Sequence, residues 1–226
     1  MILKIGHRGA VGYEPENTLL SFKKALELNV DMIELDVHVC KTGEVVVIHD
    51  DKVDRTTDGK GYVAKKTFQK IRTLDAGKGQ KIPILQEVLD MVNRKAKINI
   101  ELKGKGTARP VSDIIEKYVK EKGWSYDDFL ISSFNRHELQ KFYQLNPKVR
   151  LGILIARPTT RFARFAKKIN AYSVNASIDL INKNFINNVH KKGLKVFVWT
   201  VNDFKEIEIM KSLEVDGIFS DFLDRL

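Results

Sequence analysis

The chain has 226 residues, 43% hydrophobic and 30% charged, with 39 Lys and Arg against 29 Asp and Glu for a net charge of +10. This composition excludes a disordered polar chain, no apolar run reaches the roughly 18 residues that span a bilayer, and the single cysteine, Cys40, excludes an internal disulfide. The basic balance favours anionic partners but does not choose between phosphate-bearing small molecules, membranes and nucleic acids. Apolar, β-branched runs predict strands over 2–6, 31–37, 44–48, 97–102, 129–132, 149–155, 170–174, 194–199 and 215–219. Apolar residues at three- to four-residue spacing predict helices over 17–28, 85–94, 110–122, 135–145, 159–168, 182–191 and 203–212. Lys41-Thr42-Gly43 reads as a turn pairing 31–37 with 44–48. Setting that extra strand aside leaves eight strands alternating with helices, the pattern of an α/β (β/α)8 TIM barrel. The stretch 50–82, rich in Lys, Gly, Thr and Asp, interrupts the rhythm and reads as a short insertion after the second strand region. No linker or repeat is visible, so residues 1–226 are expected to form one domain. With one cysteine and no apolar leader before the first strand, a cytoplasmic location is expected.

Five clusters of ionisable residues are each expected at the end of a strand-like run: His7-Arg8-Gly9, Glu16-Asn17-Thr18, Glu34-Leu35-Asp36, His49-Asp50 and Glu101-Leu102-Lys103. A barrel enzyme assembles its chemistry from such strand ends. Glu34 and Asp36 are two apart, which puts both carboxylates on one face of a strand, and Glu101 with Lys103 repeats the spacing. Three inward carboxylates repel one another unless a cation joins them, and an all-oxygen set suits one hard divalent ion, Mg2+ or Ca2+. An isolated E-x-D pair is more often solvated or paired with a base; Glu101 and two histidines in the same pattern reverse that reading. His7 and His49 each end an apolar run and suit an acid–base pair. Arg8 and Lys103 suit the oxygens of a phosphate as well as neutralisation of the acids. Gly9 is expected to let the backbone approach a ligand.

These motifs resemble the glycerophosphodiester phosphodiesterase family. The resemblance extends through Asp54-Arg55-Thr56-Thr57-Asp58-Gly59-Lys60-Gly61, Pro83-Ile84-Leu85-Gln86-Glu87, Trp199-Thr200-Val201-Asn202 and Asp216-Gly217-Ile218-Phe219-Ser220-Asp221, in order to the C-terminus. It implies a barrel that hydrolyses glycerophosphodiesters to glycerol 3-phosphate and an alcohol with a divalent metal. Carried over by motif, Glu34, Asp36 and Glu101 would bind the metal, His7 and His49 would exchange protons, and Arg8 and Lys103 would hold phosphate. Glu16 and Asn17 would flank the same site, Glu16 as a further ligand or glycerol contact, and Trp199 would wall the glycerol carbons.

Other residues read more plainly. His38 is expected at a strand end, half solvated, and His137 and His190 on helix surfaces. Cys40 has no base marked beside it. Arg157, Arg161, Arg164 and Lys168 form a basic stripe opposite Phe162, Phe165 and Ile169. Two uses fit the stripe: the solvated face of an outer barrel helix, which is commoner, or weak contact with an anionic membrane surface. Two other functions compete with the leading one, phospholipase D-like hydrolysis of lysophospholipids and a non-catalytic phosphate-binding barrel. No nucleic-acid-binding motif accompanies the charge.

Overall fold

A computed structural model describes residues 2–157 and 162–226. Its strands are β1 (Leu3–Gly6), β2 (Met32–Val39), β3 (Val45–Val47), β4 (Lys97–Leu102), β5 (Phe129–Ser133), β6 (Arg150–Ile155), β7 (Ser173–Ser177), β8 (Lys195–Trp199) and β9 (Gly217–Ser220). All but β3 are parallel, and β1 bonds to both β2 and β9, which closes the barrel. The β3 strand runs antiparallel along β2 after a turn in which Gly43 takes φ +103°. The fold is the (β/α)8 barrel expected from the alternation.

The helices are α1 (Leu19–Glu27), α2 (Phe68–Thr73), α3 (Leu85–Val92), α4 (Ala108–Glu121), α5 (Arg136–Leu145), α6 (Phe162–Lys168), α7 (Lys183–His190) and α8 (Phe204–Ser212). Thr18 caps α1 by accepting from the Ser21 N–H, and Asn93 ends α3 in the left-handed region at φ 43°. The helix expected over 110–122 starts two residues earlier, because Pro110 sits in the first turn, where its missing N–H has no helical partner to lose. The start of the helix expected over 159–168 lies outside the described residues. Among the described residues, no helix is long and apolar enough to cross a membrane.

Strand alternation divides the barrel in two. Outward residues such as Ile33, Leu35, Val37, Ile98, Ile100, Ile131, Val174 and Ala176 pack against the helices in the main core. Inward residues form a second cluster, Ile5, Met32, Leu130, Phe197 and Phe219, which plugs the interior. Polar residues share the barrel interior with this plug: Asn99, Ser132, Ser173 and Asn175 are all buried. That polarity explains why β7 was expected over 170–174 yet runs to Ser177. Its inward Asn175 and Ser177 break the apolar signature, while Ala171 instead closes the end of α6 by donating to Ala166.

Segment 50–82 is a structured insertion. It carries α2, missed because only Phe68 and Ile71 mark its apolar side, and its Val53, Val63, Ile71, Leu74, Ala76 and Ile82 pack with Cys40, Val46 and Ile48 of the β2–β3 hairpin. This small core fixes the segment beside the carboxyl ends of the strands.

Candidate active site

The inward, polar parity of the strands converges at their carboxyl ends. Glu34 and Asp36 on β2 and Glu101 on β4 are buried, and their carboxylate oxygens lie within 4.8 Å of one another. In register, Asp36 stands opposite Glu101. His7, Arg8, Glu34, His49, Glu101, Lys103 and Trp199 line one pocket of about 80 Å³, floored by Asn99, Ser132 and Phe219. Two apolar side chains, Leu154 and Phe134, complete its wall.

The buried acids have the electrostatics of a cation site. Burial pushes Glu34 well above the usual carboxylate range, and repulsion from Asp36 and Glu101 adds to it. Burial and the Asp36 charge push Glu101 up to about 8 against the pull of Lys103. Asp36 also suffers burial, but Lys103, His49 and Arg8 outweigh it and hold its carboxyl low. One of its oxygens, Oδ1, is buried without a hydrogen-bond partner. A hard divalent cation would satisfy that oxygen and remove the need for protons on the two glutamates.

Arg8 and its surroundings are built by an unusual backbone. At φ 51° it occupies the left-handed region, which aims its N–H at Glu34 Oε2 (2.8 Å) and its side chain at Glu16 Oε1 (2.9 Å). Gly9, at φ 89°, does not line the pocket, and a methyl group there would collide with Ser21. Its role is therefore close packing on α1, not the approach to a ligand expected of it. Glu16 and Asn17 come from the β1–α1 loop, not from a strand end. Glu16 stands outside the acidic trio, with both oxygens bonded to Arg55 and one also to Arg8. Asn17 is buried and its amide bonds Asp36, donating to Oδ2 at 2.9 Å and accepting from the Asp36 N–H. Neither residue lines the pocket.

Each pocket histidine has a carboxylate on Nδ1. His7 is 2.7 Å from Asp221 Oδ1, and Asp221 in turn accepts from Asn202 at 2.7 Å. His49 is 2.6 Å from Asp50 Oδ1, and its Nε2 accepts from Lys103 Nζ at 2.9 Å. Burial, with Arg8 and Lys103 nearby, holds His49 below the usual imidazole range despite Asp36 and Asp50. Lys103 also reaches Glu101 Oε1 at 3.2 Å. Trp199 donates to the Asn175 carbonyl at 2.9 Å and meets Phe134 edge to face, with ring centroids 5.7 Å apart.

Five residues had no assigned role in the sequence: Asp50, quoted only beside His49, and Asp221, Asn202, Phe134 and Arg55. Asp221 and Asn202 stand in the motifs quoted above, and Asp221, an acid directly after a strand, carried the same signal as the other clusters. Phe134 likewise follows a strand directly. Arg55 also stands in a quoted motif, Asp54–Gly61 of the insertion, where no period marks it. His38, expected to be half solvated, is buried and bonds the His49 carbonyl at 3.1 Å. His137 is exposed on α5, and His190 pairs with Asp216 at 2.7 Å, both away from the pocket. Cys40 is buried against Glu44. The basic stripe is partly outside the described residues; Phe162 and Ala166 of α6 face the core and Arg164 faces solvent.

A closed (β/α)8 barrel with a buried acidic trio, two carboxylate-backed histidines and two cations at its carboxyl end defines a phosphoric diester hydrolase. The chain belongs to the glycerophosphoryl diester phosphodiesterase family, which it matches over residues 7–225. It is 38% identical over 229 residues to the glycerophosphodiester phosphodiesterase of Caldanaerobacter subterraneus subsp. tengcongensis, covering 97% of this chain and 93% of that one. It is 36% identical over 235 residues to that of Bacillus altitudinis, covering 97% and 94%. Among solved structures it is similar to an Oleispira antarctica phosphodiesterase in complex with the product sn-glycerol-3-phosphate, at a TM-score of 0.91 and 27% identity over 99% of this chain and 94% of that one.

Proposed function

We propose that this chain hydrolyses glycerophosphodiesters to sn-glycerol 3-phosphate and an alcohol, using one divalent cation, Mg2+ or Ca2+, and proton transfer by His7 and His49. The observation that carries the reading is the single pocket lined by both histidines, Arg8, Lys103 and two of the three clustered acids. The named relatives and the product held by the Oleispira enzyme support the substrate class.

Glu34, Asp36 and Glu101 would hold the cation. When bound, it supplies Lewis acidity and charge neutralisation at a phosphate oxygen. Arg8 and Lys103 bind the non-bridging oxygens and stabilise the charge that builds on them. Neutral His49 accepts the proton of the attacking hydroxyl as its oxygen bonds to phosphorus. His7, oriented by Asp221, gives a proton to the bridging oxygen as its bond to phosphorus breaks and the alcohol leaves. Trp199 packs on the glycerol carbons. Water and the glycerol 2-hydroxyl both fit as the attacker; the second forms a cyclic phosphate that water then opens, and phosphorus NMR during turnover separates them.

The test is glycerol 3-phosphate release from glycerophosphocholine, glycerophosphoethanolamine and lysophosphatidylcholine, with EDTA and then with Mg2+ or Ca2+ restored. Activity on the first two that disappears with chelation and returns with metal supports the reading. Turnover indifferent to EDTA removes the cation, and no turnover of any diester removes the substrate class.

A further inference from the structure

Arg55 belongs to the segment after β3, and nearly half of its side chain is exposed, yet its guanidinium bonds two acids beside the site. Its Nε and Nη2 donate to Asp50 at 2.8 and 3.1 Å, and its Nη1 and Nη2 donate to Glu16 at 2.7 and 2.8 Å. The atom Nη2 bridges the two acids. It touches Glu16 Oε1, the oxygen that holds Arg8, and Asp50 Oδ1, the oxygen that holds His49. A continuous chain of charge-assisted bonds therefore runs Arg8–Glu16–Arg55–Asp50–His49. It joins the β1–α1 loop to the segment after β3, which precede and follow β2 in the chain.

We propose that Arg55 is a positioning residue that clamps the phosphate cation Arg8 and the proton acceptor His49 into one geometry. The assignment rests on the hydrolase reading above and extends it to the insertion. Asp50 can hold the Nδ1–H form of His49, leaving Nε2 unprotonated, only while its own carboxylate is fixed in place. Glu16 can aim Arg8 only under the same condition. A planar guanidinium meets each of two carboxylates through a pair of parallel donors in a fixed fork, a geometry that the point charge of a lysine ammonium does not reproduce. The insertion thus acts on catalysis through Asp50 and Arg55, without placing a group in the pocket.

The experiment compares Arg55→Ala and Arg55→Lys with the wild type and with Arg72→Ala. The last removes an ion pair of the same segment, Arg72 with Glu87 at 2.9 Å, that makes no contact with the histidines. Nitrogen-15 NMR reads the tautomer of the His49 ring, steady-state assays with glycerophosphocholine separate kcat from KM, and guanidinium ion is added to the Ala variant. The wild type and Arg72→Ala are expected to show one Nδ1–H tautomer, and both Arg55 variants a mixture. In the Arg55 variants kcat falls about 10–100-fold and KM rises. Guanidinium restores part of the activity of Arg55→Ala and none to Arg55→Lys. A wild-type tautomer with unchanged kcat and KM overturns the proposal. So does a loss of thermal stability matched by Arg72→Ala with no change at His49. If the wild type turns over no diester, the hydrolase reading fails, and the tautomer comparison still decides the clamp.

Discussion

The Lys103 ammonium donates to Nε2 of His49 at 2.9 Å, while the opposite ring nitrogen faces Asp50 at 2.6 Å. The two contacts select one neutral tautomer, with the proton on Nδ1 and the lone pair on Nε2 held toward the phosphate site. Burial is the main reason the imidazole resists protonation, and the Lys103 charge adds to it. Lys103→Gln removes that second contribution and leaves the first. His49 must be unprotonated to accept a proton, so a rise in its pKa moves the acidic limb of the kcat/KM profile to higher pH. The same change deletes a phosphate donor and is expected to lower kcat/KM by on the order of 10²–10³. A pH–rate profile checks both effects.

His7→Ala and His49→Ala are expected to stay folded and to lose on the order of 10²–10⁴ in turnover, because neither ring belongs to the packed core. Circular dichroism and the diester assay measure this pair of outcomes. Near-full activity in either variant would defeat the acid–base assignment.

Asp221→Asn keeps the shape of the group behind His7 but removes its charge, and the new amide can donate to Nδ1. The imidazole is then free to carry its proton on the wrong nitrogen. Turnover is expected to fall by on the order of 10²–10⁴ with little change in substrate affinity. A matching rise in KM would instead mean that Asp221 supports binding.

The acidic trio makes stability depend on pH and on metal. Glu101 is pushed up to about 8 from 4.5, and Glu34 moves in the same direction. For a raised acid, the folded state holds a proton that the unfolded state releases. The stabilisation is complete below pH 4.5 and is lost as pH rises through about 8. Metal-free protein should therefore melt lower at pH 8.5 than the same groups allow at pH near 6, and the increase in Tm on adding Mg2+ or Ca2+ should be larger at the higher pH. Glu101→Gln is expected to raise the metal-free Tm at high pH and to abolish most of the metal-induced shift. Calorimetry across this range checks the sign.

Gly9→Ala tests the correction made above. Its φ of 89° and the collision with Ser21 are both unfavourable for a side chain, so a loss of roughly 1–3 kcal/mol is expected. Metal affinity and KM of the folded fraction should be unchanged, since Gly9 does not line the pocket. Denaturant unfolding and a Michaelis profile separate the two.

Much of this protein was legible before any coordinates. Two-residue spacing put Glu34 with Asp36 and Glu101 with Lys103 on common faces, because strand side chains alternate, and the parallel register then brought the faces together. The alternation of elements implied the barrel, and the histidines after β1 and β3 fell where barrel chemistry collects. What the sequence could not carry was the partner of each group. Asp221 is 214 positions from His7, Arg55 is 39 from Glu16, and Lys103 is 54 from His49, separations at which no local rule operates. Those pairings exist because closing the sheet brings its first and last strands together and because the insertion packs its own small core against the β2–β3 hairpin. Local pattern thus determined which side chains face inward; closure of the barrel decided which of them touch.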